Sequence, residues 1–278
     1  MDHSDLTRLT EINRRAWDAV ARTRGDGLRP AESFAAGVGN FDPTVLAIAH
    51  WHDLDVLHLQ CASGEDTLTL ALAGARVTGV DISTQNVTHA RRKSSAAGVP
   101  GTFVVADVYD LPADLLACTF DVVFTGSGAL CWLPDIARWA EVVVAALRDG
   151  GRLLVEEMHP LRGCFDVAGD HVVATDQDYF QRASPREVPG GPARLAGAGG
   201  AYMPENVQFR WPIGDVVTAL ARAGMRIDLL DEYFCPPARD DIPSHVLAQL
   251  RRLPNDFTLL ATKDPLPRNS LAMPADHT

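Results

Sequence analysis

Long hydrophobic runs are missing from these 278 residues. The longest, around Val142–Leu147 and Arg152–Val155, fall far short of the roughly 20 apolar residues that span a bilayer. No membrane partner is expected. Positive charge is also scarce. The formal net charge is −11, which repels polyanions, so nucleic acid is not an expected partner. The one basic cluster, Arg91-Arg92-Lys93, reads as a solvated helix face. Cysteine is sparse and odd in number: five residues, none in a Cys-x-x-Cys pair. That pattern excludes a disulfide framework and a zinc site, and no metal is expected. The nicotinamide fingerprint G-x-G-x-x-G is absent too, because Gln60 and Ala62 stand where glycines would. The polar, acidic opening Met1-Asp-His-Ser-Asp is unlike a secretory signal, so a cytoplasmic location is expected.

What is present is alternation. Ser4 to Arg22 reads as an amphipathic helix, with Leu6, Leu9, Ile12, Ala16 and Val20 at helical spacing. Asp42-Pro43 reads as the start of a helix through His50. Strands are then predicted at Val56–Gln60, Arg76–Val80, Thr102–Ala106, Phe120–Thr125 and Arg152–Glu157. Helices at Glu65–Ala73, Thr84–Ala97 and Pro134–Leu147 separate them. Nearly continuous apolar strands between helices imply a parallel sheet covered on both faces: a doubly wound α/β fold. Near the end, a helix at Asp215–Ala223 precedes strands at Arg226–Phe234 and Phe257–Thr262, with a short helix near Ser244–Leu250 between them. The two strands suit an antiparallel pair at the sheet edge. Leu161–Trp211 lacks periodicity and contains the Gly/Pro-rich stretch Ser184–Gly200. A segment that long is a functional lid or is disordered. The division that follows is 1–52 as an N-terminal helical cap, 53–160 as the core and 161–211 as an inserted cap. Residues 212–264 complete the core, and 265–278 form a tail.

Ligands of such sheets bind beyond the carboxyl ends of the strands. After the first strand, Gln60-Cys61-Ala62-Ser63-Gly64 offers small residues leading into a helix N-terminus. A plain tight turn is the other reading. After the second strand, Asp81-Ile82 offers a carboxylate for two ribose hydroxyls and an apolar face for adenine. The lesser alternative is a helix N-cap for Ser83–Thr84. After the third, Asp107-Val108 offers an acceptor for an exocyclic adenine amine, or else an ordinary surface turn. Three such strand ends in succession are more specific than any one.

With these residues on the page, the chain resembles the class I S-adenosylmethionine-dependent methyltransferases. The resemblance lies in Val56–Leu68, a loop of the LQC-x-x-G-x-DTL type, and in Gly74–Ser83. It extends to Phe124–Asp135 and Asn13–Trp17, and covers about Asn13 to Thr262. It implies a Rossmann-like seven-stranded sheet with an antiparallel terminal strand, N-terminal helices and an inserted cap. It implies S-adenosylmethionine as cofactor, with its methionine part on Gln60–Gly64, its ribose on Asp81 and its adenine amine on Asp107. Gly126 and Ser127 would lie near the sulfonium. The chain departs from the family at His58, where an acid is usual, and at Ala62, where a glycine is usual.

Methyl transfer needs alignment, and a base only when the acceptor carries a proton. His159 and Glu157, just after the fifth strand, are the predicted bases, with Glu156 on the opposite strand face and His159-Pro160 otherwise a structural turn. Trp17, Trp132, Tyr179 and Tyr202 are predicted to wall the acceptor, although core packing would explain each of them. The expected partner is a small, partly apolar organic molecule of specialised metabolism. A homodimer is compatible with the sequence. Three competing readings are a nicotinamide oxidoreductase, a cofactor-binding enzyme of the same fold that catalyses cyclisation, and a non-catalytic cofactor-binding module.

Overall fold

The computed structural model describes residues 1–24, 29–40, 50–182, 185–189, 191–192, 202–236 and 242–265. The expected helix over Asp42–His50, most of Ser184–Gly200 and the tail beyond Pro265 lie outside these residues.

Helix α1 (His3–Arg24) and the short α2 (Ala31–Ala35) precede the alternating core. The core runs β1 (Asp55–Leu59), α3 (Glu65–Leu72), β2 (Arg76–Asp81), α4 (Thr84–Ala97), β3 (Thr102–Val105), β4 (Phe120–Gly126), α5 (Ile136–Ala146) and β5 (Leu147–Met158). The segment expected to be aperiodic contains short strands: the hairpin β6 (Phe165–Ala168) and β7 (His171–Ala174), then β8 (Arg186–Val188) and β9 (Gly191–Pro192). β10 (Tyr202–Met203) pairs with β9, and β11 (Asn206–Gln208) pairs with β8. The chain closes with α6 (Ile213–Arg222), β12 (Met225–Tyr233), α7 (Ser244–Leu250) and β13 (Asp256–Lys263).

The main sheet has seven strands in the order β12-β13-β5-β4-β1-β2-β3. β1 to β5 pair in parallel, and β13 is antiparallel to both neighbours. The last strand therefore does not extend the edge. It inserts between β5 and β12, where Leu259 and Ala261 are fully buried. Strand order reverses between β1 and β4, which opens the crevice for a ligand at their carboxyl ends.

Local chemistry sets the boundaries. The Ser83 hydroxyl accepts the Asn86 N–H to start α4, and Gly98, at φ 66°, ends it. Asp135 caps α5 through the Arg138 N–H, so Pro134, expected inside that helix, lies outside it. Gly64 precedes α3 at φ 84°, and a Cβ there would lie 2.8 Å from the Ala90 Cβ. Its lack of a side chain lets α4 close against the first loop.

The basic cluster departs from expectation. Lys93 is not solvated. It lies on the inward face of α4 with Val87 and Ala90, and its ammonium sits 2.5 Å from Glu65. Burial opposes the Glu65 charge, but Lys93 holds its carboxyl below the usual range. Replacing Lys93 with Met strands that carboxylate. We expect a loss of about 3–5 kcal/mol in urea-unfolding stability, and a loss below about 1 kcal/mol would reject a working pair.

Candidate functional site

A cavity of about 230 Å³ opens at the carboxyl ends of β1, β2 and β4. Gln60, Cys61 and Ala62 line it from the first loop, Asp81 and Ile82 from the second, Asp107 and Val108 from the third, and Gly126 and Ser127 from the fourth. Gly64 lies just beneath, its N–H bonded to the Cys61 carbonyl. Cys61 presents backbone to the cavity, while its side chain packs into the core beside Phe103 and Val87.

The turns around this cavity are bent. Gln60, Ala62 and Ser127 adopt φ values of 59°, 47° and 61°, in the left-handed region that non-glycine residues avoid. Such conformations persist only when their surroundings hold them, and they cluster at functional sites. Asp81 supplies much of that hold. Its carboxylate accepts the Ala62 N–H at 2.9 Å and the Ser83 N–H at 2.8 Å. Burial pushes its carboxyl above the usual range, and these N–H donors act in the opposite direction. Asp107 caps a short helical turn through the Tyr109 N–H.

Helix α1 roofs the cavity. Asn13 exchanges two hydrogen bonds with Val207 of β11, at 2.8 and 2.9 Å, and Asp18 accepts from the Ser83 hydroxyl at 2.7 Å. Trp17 and Trp132 meet edge to face, with ring centroids 5.2 Å apart, and both line the cavity.

His58, where the resemblance would place an acid, is buried. Its Nδ1 lies 2.8 Å from the Thr67 hydroxyl. Burial drops its pKa to about 3, so it is neutral. A carboxylate that sequence reasoning passed over lies nearby. Asp66, in the first turn of α3, accepts from the Ser127 hydroxyl at 2.8 Å and from Asn40 at 2.5 Å, and lines the same cavity. The Asp-Thr pair of the loop was its visible signal.

Glu157 and His159 line a second cavity of about 300 Å³, walled by Phe209, Trp211 and Phe257. Met158 borders both cavities. Glu157 is buried, and its carboxylate accepts N–H groups of Ala129, Leu130 and Met158 at 2.7–3.0 Å. Burial pushes its pKa up to about 7 against those donors. His159 has both ring nitrogens engaged. Nδ1 accepts the Leu161 N–H at 3.0 Å, and Nε2 lies 2.6 Å from a Glu232 carboxylate oxygen. The Leu161 bond places the ring proton on Nε2, so neither nitrogen is free for the base role expected of it. Tyr179 lines neither cavity. Its hydroxyl accepts the Ile213 N–H at the start of α6. For Tyr202 the structure describes only the strand pairing with Pro192.

The Glu157 shift has a stability consequence. With a folded pKa near 7 against 4.5 for an ordinary glutamic acid, the folded chain binds more protons between those values. Stability therefore falls as pH rises through that window. Relative to Glu157→Gln, the wild type should lose about 1–3 kcal/mol between pH 5 and pH 8 in urea titrations. A constant difference would refute the shift.

Comparison with known proteins agrees with this geometry. Residues 56–151 match a family model described as a methyltransferase domain. A ubiquinone biosynthesis O-methyltransferase from Xanthomonas euvesicatoria pv. vesicatoria (strain 85-10) is 27% identical over 184 residues, covering 66% of this chain and 70% of its own. Among solved structures, an S-adenosylmethionine-dependent methyltransferase from Mesorhizobium loti aligns with a TM-score of 0.58 at 24% identity, over 79% of this chain and 96% of its own. A structure titled for the conversion of a disulfide bond into a thioacetal group during echinomycin biosynthesis aligns at 0.57 and 22% identity, over 93% and 94%. Residues 56–151 thus match a methyltransferase domain, and the chain has the fold of S-adenosylmethionine-dependent methyltransferases.

Proposed function

We propose that the chain methylates a small, partly apolar organic molecule in specialised metabolism, at an oxygen. The observation that carries this reading is the pair of cavities that share Met158 in their walls. One ends in carboxylates suited to adenosine. The other joins aromatic walls to a buried acid. The relative named for O-methylation supports the choice of oxygen as acceptor.

The residues present fit the cofactor. Gln60 donates its amide to the Ala129 carbonyl at 2.9 Å, which fixes its Oε1 as a buried acceptor that finds no partner among the described residues. An unmet acceptor in a cavity wall calls for a ligand donor. Asp81 would take the ribose hydroxyls and Asp107 the adenine amine, with Ile82 and Val108 against the ring. Gly126 and Ser127 would border the sulfonium. When bound, the cofactor supplies a methyl group already activated by positive charge. The protein supplies alignment, which can lower such a barrier by roughly 7–11 kcal/mol. Trp17 and Trp132 would keep water from the junction.

An acceptor hydroxyl must lose its proton. We assign that proton to Glu157, whose pKa near 7 suits a base at neutral pH. His159, held by Leu161 and Glu232, would position the acceptor's wall. In this reading kcat rises as pH passes through about 7. Glu157→Gln should lower kcat by about 100-fold or more and remove that limb. An intact limb in the variant would sink the assignment.

The cofactor contact is tested separately. Asp81→Asn should weaken S-adenosylhomocysteine binding by about 1–3 kcal/mol in calorimetry, and unchanged affinity would reject the ribose contact. Incubation with methyl-labelled cofactor and a panel of phenols, carboxylic acids and amines should place label in a phenolic ether. Turnover without label transfer would favour the cyclisation reading instead.

A further inference from the structure

The methionine part of the cofactor is a zwitterion, so its ammonium needs an anion and its carboxylate a cation. The strand position that would supply the anion holds His58, which is neutral. The charges lining the cavity answer the question by their placement. Asp81 and Asp107 stand at the tips of β2 and β3. Glu65 is neutralised by Lys93 at 2.5 Å. Asp66 remains, and its donors among the described residues, Ser127 and Asn40, are neutral. Its partner Ser127 and the Gln60 contact Ala129 belong to one turn, which brings the Asp66 carboxylate and the unmet Gln60 Oε1 to the same wall. Two acceptors on one wall suit the several N–H donors of an ammonium group. Arg24, at the end of α1, is the one arginine or lysine lining the cavity among the described residues, and its guanidinium reaches the Ser63 hydroxyl at 2.9 Å.

We propose that Asp66, together with Gln60 Oε1, receives the α-ammonium of the cofactor, and that Arg24 receives its carboxylate. The proposal rests on the cofactor reading above. In effect the acid missing from β1 has moved eight residues along the chain, from His58 to Asp66. It now approaches the ligand from the first turn of α3.

Two ligands separate this role from simple shaping of the pocket. S-adenosylhomocysteine carries the amino-acid group, and 5′-methylthioadenosine lacks it while keeping the adenosine. By calorimetry on the full chain, Asp66→Asn should bind S-adenosylhomocysteine at least tenfold more weakly than wild type and 5′-methylthioadenosine within twofold of it. Retained methylthioadenosine binding also reports that the variant folds. Arg24→Met should show the same asymmetry, whereas Asp81→Asn should weaken both ligands. If Asp66→Asn weakens the two ligands equally, or neither, the proposal is overturned while the cofactor reading stands. If the wild type binds neither ligand, the cofactor reading fails and takes the proposal with it.

Discussion

The Asp81 carboxylate is where the strand ends are tied together. It terminates β2, yet it accepts the backbone N–H of Ala62 at 2.9 Å, from the loop after β1. It also accepts the N–H of Ser83 at 2.8 Å, at the start of α4. Ser83 passes the connection on to Asp18 of the roof helix at 2.7 Å. One buried carboxylate therefore fixes the relative positions of two loops and, through a hydroxyl, of α1. The left-handed φ of Ala62, 47°, is tolerated because this bond holds it. The charge is costly to bury, and oriented backbone donors offset that cost only in part. A ligand offering further donors would complete the arrangement.

Charge around the cavity follows from the same economy. The chain carries many acids, yet the acids that line the first cavity differ in state. Glu65 is neutralised by Lys93, and the pair forms a rigid floor under the first loop. Asp66 and Asp81 face the cavity with neutral donors, and burial raises the carboxyl of each. His58 contributes no charge, because removing its ring from water outweighs any gain from ionisation. The result is a cavity lined by Asp66, Asp81 and Asp107 and also by Arg24, a distribution that would suit a cationic ligand with a single carboxylate.

The core was legible because its periodicities are local. Val56 to Leu59 reads as a strand because its burial is nearly continuous, and Thr84 to Ala97 reads as a helix because Ser83 and Gly98 cap it. The carboxylates at the strand tips were legible because topology alone brings those ends together. What escaped the sequence depends on long-range contacts. The insertion of β13 between β5 and β12 is decided by where Leu259 and Ala261 find apolar surface, and no local pattern records that. Lys93 sat in a run of three basic residues, and only the spacing to Val87 and Ala90 told its face from that of Arg92. His159 looked like a base because its chemistry suits one. Its commitment to Leu161 and Glu232 depends on a residue 73 positions away.

Glu157 connects the two halves of the site. Its carboxylate accepts from Ala129 and Leu130 at 2.7 and 3.0 Å, and the turn that carries those donors begins at Ser127. Ser127 and Ala129 wall the first cavity, while Glu157 itself lines the second. Protonation of Glu157 withdraws charge from the N–H groups that orient this turn, and the turn is where Asp66 and Gln60 are anchored. A proton taken up in one cavity is thereby linked to the geometry of the other through a single turn of backbone. The linkage is reciprocal: whatever ligand fixes the turn in its present form also favours the charged state of Glu157.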